Sequence, residues 1–283
     1  MNNKVFGIIG GDKRIVYLAK SIIKDGYPLY ICGFDLLSEA SNLPELPLNT
    51  LIELSDNIIF PVPVTRDGET IYAPYSSKEI RPESDFIISL SGKNVYGGLM
   101  NKLVSKNDLW SMVNYSDYYT REEFAVNNAV PTAEGAIAIA INEYEGNLTG
   151  SKCLVTGYGR IGKILSKMLV SLGAEVTVAA RKKSDLAYAR AMGAKAKSYS
   201  EIHEAYDIIF NTVPEIVIKG KLLSKQNENT LIIELASLPG GIERKTALEK
   251  GIKIIDAQSL PGKVSPKAAG EYIKEAVYNL LEE

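Results

Sequence analysis

Three glycines stand within six residues, Gly157-Tyr158-Gly159-Arg160-Ile161-Gly162. They follow the apolar run "CLVT" and precede a helical pattern from Lys163 to Leu172. Strand, glycine turn and helix in that order form a phosphate site. Gly157 permits a tight turn and Gly159 lets the backbone approach a pyrophosphate. Gly162 lets the helix pack on the strand, so that its N-terminal amides face the phosphates. A glycine turn without a ligand is the plain alternative, but strand, turn, helix and strand in register weigh against it. The next strand ends in Ala179, Ala180, Arg181, Lys182 and Lys183. An NAD site would place an acidic residue there, on the ribose hydroxyls. A carboxylate repels the extra ribose phosphate of NADP, whereas a guanidinium binds it through two parallel hydrogen bonds. Ala180 clears space, Arg181 and Lys182 bring charge, and Ser184 adds a hydroxyl. The expected cofactor is therefore NADP; the competing reading is a solvated basic turn.

Further segments follow apolar runs, at the strand ends where such sheets bind ligands. "DIIFNTVP" ends in Asn211, Thr212, Val213 and Pro214, "TLIIELASLPGG" reaches Ala236 and Ser237, and "KIIDAQS" ends at Asp256 to Ser259. Small residues there suit a flat nicotinamide and its ribose, or are simple turns. Arg66, Lys263 and Lys267 are cations that bind carboxylates, and Ser91 and Thr132 add hydroxyls, with Glu134 nearby in sequence. This set fits an acidic small molecule, although each cation alone reads equally as a solvated surface charge. Two-domain hydroxyacid dehydrogenases use a histidine–carboxylate pair as base. The one histidine, His203, is expected on a short helix at the amino side of a strand, away from the chemistry. No Cys/His or Ser/His arrangement and no metal-ligand cluster stands out.

These residues need elements to hold them. A chain of 283 residues is long enough for two domains, and short β-rich runs alternate with helical patterns. The first half opens as the second does, with Val5–Ile9 as strand, Gly10-Gly11 as turn, a helix carrying Ile15, Leu18, Ala19, Ile22 and Ile23, and Leu29–Cys32 as strand. Asn57–Val62, Asp85–Leu90 and Leu109–Val113 read as further strands. The expected fold is α/β: two Rossmann-like doubly wound parallel-sheet domains with an interdomain cleft, laid out as in two-domain dehydrogenases. Residues 1–130 form the first domain, 131–148 a hinge helix after Pro131, and 149–264 the dinucleotide domain. The amphipathic helix over 265–283 is expected to rejoin the first domain. A nucleotide on the first turn, through Gly7, Gly10 and Gly11 with Asp35 on a ribose, is a weaker option because the glycine spacing departs from the fingerprint.

Composition narrows the class. Net charge is −2 with scattered basic residues, which argues against nucleic acid. No stretch reads as a membrane span and none as a signal peptide. Cys32 and Cys153 lie in apolar runs and read as buried thiols of a reducing compartment. A cytoplasmic protein is expected.

The motifs "GIIGGDKR", "VPTAEG", "GYGRIGK", "AAR", "NTVP", "ELASLPGG" and "LPGKVSPKAAG" run in order along nearly the whole chain. Together they resemble the A subunit of dipicolinate synthase from spore-forming bacteria. The resemblance implies an NADP-dependent oxidoreductase of sporulation in the mother cell. It would oxidise dihydrodipicolinate, derived from 4-hydroxy-tetrahydrodipicolinate, to dipicolinate, working as a homo-oligomer alongside a flavoprotein-like B subunit. It also implies that Gly157–Gly162, Arg181 and the "NTVP" and "ASLPGG" edges hold the cofactor. If the substrate arrives hydrated, Glu134 is the candidate to assist water loss. Two rivals stay open: another NADP-dependent oxidoreductase of a small carboxylic acid, and a non-catalytic NADP-binding sensor or scaffold.

Overall fold

Short runs of Val, Ile and Phe between glycine and proline turns form the central strands, because branched side chains pack well on a pleat buried on both faces. The computed structural model describes residues 4–283. It divides into two units, Met1–Asn127 with Ser265–Glu283, and Asn128–Val264.

The first unit begins with β1 (Phe6–Ile9), α1 (Lys13–Lys24), β2 (Leu29–Cys32), α2 (Leu48–Leu54) and β3 (Asn57–Ile59). It continues through α3 (Ser84–Ser89), β4 (Asn94–Gly97), α4 (Asn101–Val104) and β5 (Asn114–Asp117). Its five strands are parallel in the order β2-β1-β3-β4-β5, with Phe6 opposite both Leu29 and Asn57. Asn57, Asn94 and Asn114 lie side by side at the amino edge. Asn94 Nδ2 donates to Asn57 Oδ1 at 3.2 Å and Asn114 Nδ2 to Asn94 Oδ1 at 3.0 Å, which pins this register.

The helix α5 (Glu122–Glu143) carries the chain onward. The second unit holds β6 (Lys152–Thr156), α6 (Arg160–Ser171), β7 (Glu175–Ala179), α7 (Lys183–Ala191), β8 (Lys195–Lys197) and β9 (Ile208–Asn211). Then come α8 (Gly220–Ser224), β10 (Leu231–Glu234), α9 (Arg244–Glu249), β11 (Lys253–Asp256) and α10 (Leu260–Val264). Its six parallel strands run β11-β10-β9-β6-β7-β8, the Rossmann order 3-2-1-4-5-6 read from the other side. The expected doubly wound α/β layout is therefore present twice, with a different strand order in each sheet.

Four sequence expectations are corrected. Residues 85–90 are helical: Phe86, Ile87 and Leu90 are buried while Ile88 is half exposed, a helical spacing that a six-residue apolar run conceals. Residues 109–113 fall in a 3-10 turn over Asp108–Met112, with Trp110 and Val113 inward and Met112 outward. His203 lies on an exposed loop and not on a helix. The helix of the junction does not start at Pro131 or reach residue 148. It runs unbroken from Glu122 to Glu143 with Pro131 inside, the ring costing only the amide that would have bonded Asn127. By length and composition α5 could cross a membrane, which the sequence pattern alone does not announce; half of its apolar window is buried in the protein. Ala133, Ala136, Ile137 and Ala140 belong to the core of the second unit.

The last helix, α11 (Pro266–Glu282), packs against α1. Ile273 and Val277 are fully buried in one cluster with Phe6, Ile8, Leu18 and Ile22. Lys274 Nζ donates to Ser21 Oγ at 2.7 Å and to Asp25 Oδ2 at 2.8 Å. Contact is closest at Gly270, where an added Cβ would stand 2.5 Å from the Arg14 carbonyl oxygen. Backbone cannot yield as a side-chain tip does. Gly270→Val is expected to cost about 1–3 kcal/mol, the usual toll of overpacking, read as a lower urea midpoint at unchanged slope.

Candidate dinucleotide-binding site

β6 and β9 are neighbours on either side of the point where the second sheet reverses its strand order. Ligands of such sheets bind there, beyond the carboxyl ends of the strands. The glycine turn follows β6 and "NTVP" follows β9, so topology brings them together. Gly157 has φ +91, and an added Cβ would stand 2.4 Å from Thr212 Oγ1 and 2.8 Å from Val213 Cγ2. The Thr212 hydroxyl in turn donates to the Thr156 carbonyl at 2.7 Å. Gly162 is inside α6, where a Cβ would meet the Gly157 carbonyl oxygen at 2.3 Å. Gly159, the N-cap of α6, is exposed and has nothing within 4 Å of its Cβ position. Two glycines close the turn on itself and the third keeps a gap beside the helix N-terminus, which is the form a pyrophosphate requires. The residues present therefore fit a dinucleotide.

The loops at this edge hang on a buried polar network that sequence reasoning missed. Thr156, Asn211 and Glu234 are each at most 1% exposed. Thr156 Oγ1 donates to Asn211 Oδ1 at 2.5 Å, and Asn211 Nδ2 donates to Glu234 Oε1 at 2.6 Å and to the Val213 carbonyl at 2.8 Å. The Glu234 carboxylate also accepts the amides of Ala236 at 3.0 Å and Gly241 at 2.9 Å. One carboxylate thus joins the ends of β6, β9 and β10 to the 236–241 turn. Its signal is present in the chain: a glutamate inside "TLIIELA" has no place in a buried strand unless donors surround it. The same geometry changes what Asn211 and Ala236 do. The Asn211 side chain and the Ala236 amide are engaged inside the network and so help to set these loops.

The other expected cofactor residues divide by exposure. Tyr158 is buried in the second core, and Ile161 packs against that core. Ala180 is buried, with its amide on the Lys197 carbonyl at 3.2 Å. Arg181, Lys182, Pro214 and Ser237 are exposed, while Thr212 and Val213 are half buried. Arg181 Nη1 lies 3.5 Å from Glu215 Oε2. Neither cysteine is a ready nucleophile at neutral pH, since burial pushes both thiols up to about 11.

The candidate substrate residues are less gathered. Arg66 stacks on Tyr72, its guanidinium 4.1 Å from the ring centre, and donates to the Tyr72 hydroxyl at 2.9 Å. Ser91 is expected beyond a strand; because residues 85–90 are helical, it lies in the turn leading into β4, at the amino edge of the first sheet. That placement takes it away from the ligand edge. Thr132 is buried and donates to the Asn128 carbonyl at 2.8 Å. Glu134 is exposed on α5, and Lys263 and Lys267 are exposed on α10 and α11.

The opening turn of the first unit is packed closely against its neighbours. A Cβ on Gly10 would meet the Tyr72 carbonyl oxygen at 2.9 Å, and one on Gly7 would meet Leu51 at 2.5 Å. Asp35, the ribose candidate, accepts the Ser77 amide at 3.1 Å. Arg14 is held by Asp12 through Nε at 2.9 Å and Nη2 at 2.8 Å, and also donates to the Val62 carbonyl. Burial opposes its charge, but the Asp12 carboxylate outweighs burial and holds the guanidinium ionised.

Residues 125–251 match the model of the D-isomer specific 2-hydroxyacid dehydrogenase NAD-binding domain. Across 99% of this chain and 93% of the other, the fold also superposes on a transhydrogenase from Sinorhizobium meliloti, at TM-score 0.69 and 16% identity. Fold and turn together define an oxidoreductase of the two-domain dehydrogenase class, with a domain for a nicotinamide cofactor. Residues 5–118 match the model of the N-terminal domain of the dipicolinate synthase A subunit. The dipicolinate synthase A subunit of Bacillus subtilis (strain 168) is 31% identical over 286 aligned positions, covering 98% of this chain and 95% of that protein. A crystal structure of dipicolinate synthase from Bacillus subtilis superposes at TM-score 0.88 with 28% identity, over 100% of this chain and 97% of that one. The chain belongs to the family of dipicolinate synthase A subunits.

Proposed function

We propose that this chain carries out the NADP-dependent oxidation of dihydrodipicolinate to dipicolinate in the cytoplasm of a sporulating mother cell, as a homo-oligomer acting with a flavoprotein-like B subunit. The observation that carries this reading is the open space at Gly159 within a chain that aligns end to end with the A subunit of a dipicolinate synthase. NADP, when bound, accepts the hydride. The chain's own part is to hold cofactor and ring in register, which is mainly positioning. The backbone of Gly157–Gly162 and the first turn of α6 take the pyrophosphate, Arg181 and Lys182 the ribose phosphate, Thr212, Val213 and Pro214 flank them on the loop after β9, and Ser237 takes the nicotinamide end. Arg66, Lys263 and Lys267 supply charge for the two carboxylates.

The substrate loses one hydride and one proton and becomes aromatic. Aromatisation drives the step, and the proton leaves an acidified ring position. A histidine base is therefore less necessary than in alcohol oxidation, in keeping with His203 on its exposed loop. For a hydrated substrate, Glu134 is the group assigned to water loss.

The test follows NADPH at 340 nm and dipicolinate by its own ultraviolet absorbance, with the product of dihydrodipicolinate synthase as substrate, with and without the B subunit. Coupled appearance of both products supports the reading. Dipicolinate without NADPH would make the chain a cofactor-binding scaffold, and neither product despite NADP binding would point to a different carboxylic acid. Cofactor choice has its own check. Arg181→Gln is expected to weaken NADP by about tenfold, the worth of a charge-assisted phosphate contact, and to leave NAD within about twofold by calorimetry.

A further inference from the structure

The fingerprint of a dinucleotide site asks for an acid on the ribose, and the strand that normally carries it ends here in Arg181. An acid nevertheless reaches this place from another strand. Glu215 follows the β9 edge, and its Oε2 lies 3.5 Å from Arg181 Nη1. Both side chains are mostly exposed, so the pair itself contributes little to stability. Its position is another matter, because the backbone beneath it is fixed. Asn211 binds the Val213 amide and carbonyl. The amides of Val217 and Ile218 both donate to the Gly241 carbonyl, at 3.0 and 2.9 Å. A Cβ on Gly241 would stand 2.8 Å from the Glu215 carbonyl oxygen, so only glycine allows this approach. Val213, two residues earlier, packs on Gly157 itself. A third side chain closes the group. The Tyr199 phenol, from the turn after β8, meets the Gly157 backbone and feels the charges of both Arg181 and Glu215; burial, its main influence, keeps it protonated.

We propose that Glu215 is the acidic selector of the adenosine site, set opposite Arg181 so that the pair admits either NAD or NADP. Resting on the reading of Gly157–Gly162 as the cofactor turn, this assigns opposite preferences to two residues in contact. Arg181 draws the ribose phosphate. Glu215 repels that phosphate, competes with it for the guanidinium, and accepts a ribose hydroxyl when the phosphate is absent. The site is then permissive, with discrimination smaller than a lone arginine would give.

Calorimetric titration of the full-length protein with NAD and with NADP separates the parts. Glu215→Gln keeps the shape and removes the charge. It is expected to tighten NADP and weaken NAD, moving the ratio of their affinities about fivefold towards NADP. Arg181→Gln is expected to move the ratio the other way. An unchanged ratio in Glu215→Gln, with the Arg181→Gln shift present, overturns the selector and leaves the NADP site standing. Unchanged ratios in both variants overturn the selector and the Arg181 assignment together. Circular dichroism of each variant checks that the fold is retained, as expected for two side chains that are mostly exposed.

Discussion

Gly159→Val is expected to weaken dinucleotide binding sharply while leaving the stability of the protein where it is. Gly159 has φ −77 and ψ −163, ordinary extended backbone that valine adopts without strain. No atom lies within 4 Å of its Cβ position, so the protein loses no contact and suffers no clash. The added methyls occupy the gap in which a pyrophosphate would meet the first turn of α6. Overpacking of about 1–3 kcal/mol there corresponds to a loss of about 5-fold to 150-fold in affinity for both NAD and NADP. Gly162→Ala is the informative contrast. Its Cβ would stand 2.3 Å from the Gly157 carbonyl, so turn and helix must part and stability falls along with binding. Calorimetry paired with thermal unfolding reads both quantities. Wild-type affinity in Gly159→Val would mean that the cofactor lies elsewhere.

The second large effect is expected at Glu234. Replacing it with alanine deletes the acceptor for the Asn211 amide and for the backbone amides of Ala236 and Gly241, in a site that is 1% exposed. Each buried donor left without a partner costs about 1–3 kcal/mol, and the three are coupled through one carboxylate, so about 3–5 kcal/mol is expected in total. Glu234→Gln retains one oxygen acceptor but turns an NH2 group towards N–H donors, and is expected to lose about 2 kcal/mol. Urea unfolding measures both. A loss below about 1 kcal/mol for the alanine variant would show that the network is dispensable, and that the "NTVP" and "ASLPGG" loops are held by something else. Cofactor affinity is expected to fall with stability here, in contrast to Gly159→Val.

The two expectations draw on different kinds of information. Everything that makes Gly159 special is legible in the sequence, because a glycine fingerprint is local: strand, turn and helix are continuous in the chain, and their spacing carries the mechanism. Doubly wound sheets are legible for the same reason, from apolar runs alternating with helical periods. Glu234 and Glu215 are not legible in their roles. Each acts on residues of other strands, and only the pairing of β9 with β6 and β10 brings them together. Arg181 stands in the sequence as a base where an acid is usual; the acid beside it comes from farther along the chain. The misreading of residues 85–90 shows how one local error spreads. Six apolar-rich residues fit periods of 2 and 3.6 about equally well, and taking the wrong one moves Ser91 from the amino edge of a sheet to the ligand edge. Pro131 misleads through a sound rule, since the ring usually ends a helix, yet α5 tolerates one missing bond in 22 residues.

The division of the first unit between the two ends of the chain also governs how the molecule comes together as it is made. Residues Asn128–Val264 are contiguous, so that unit has all its parts once they have left the ribosome. The unit synthesised first lacks α11, and with it Ile273, Ala276 and Val277, which close the face of α1 and β1. That face stays uncovered while more than a hundred further residues are translated. Domains usually fold from the N-terminus during synthesis. Here the first unit is complete only when α11 has been made, and until it docks the face of α1 and β1 that Ile273, Ala276 and Val277 cover stays open.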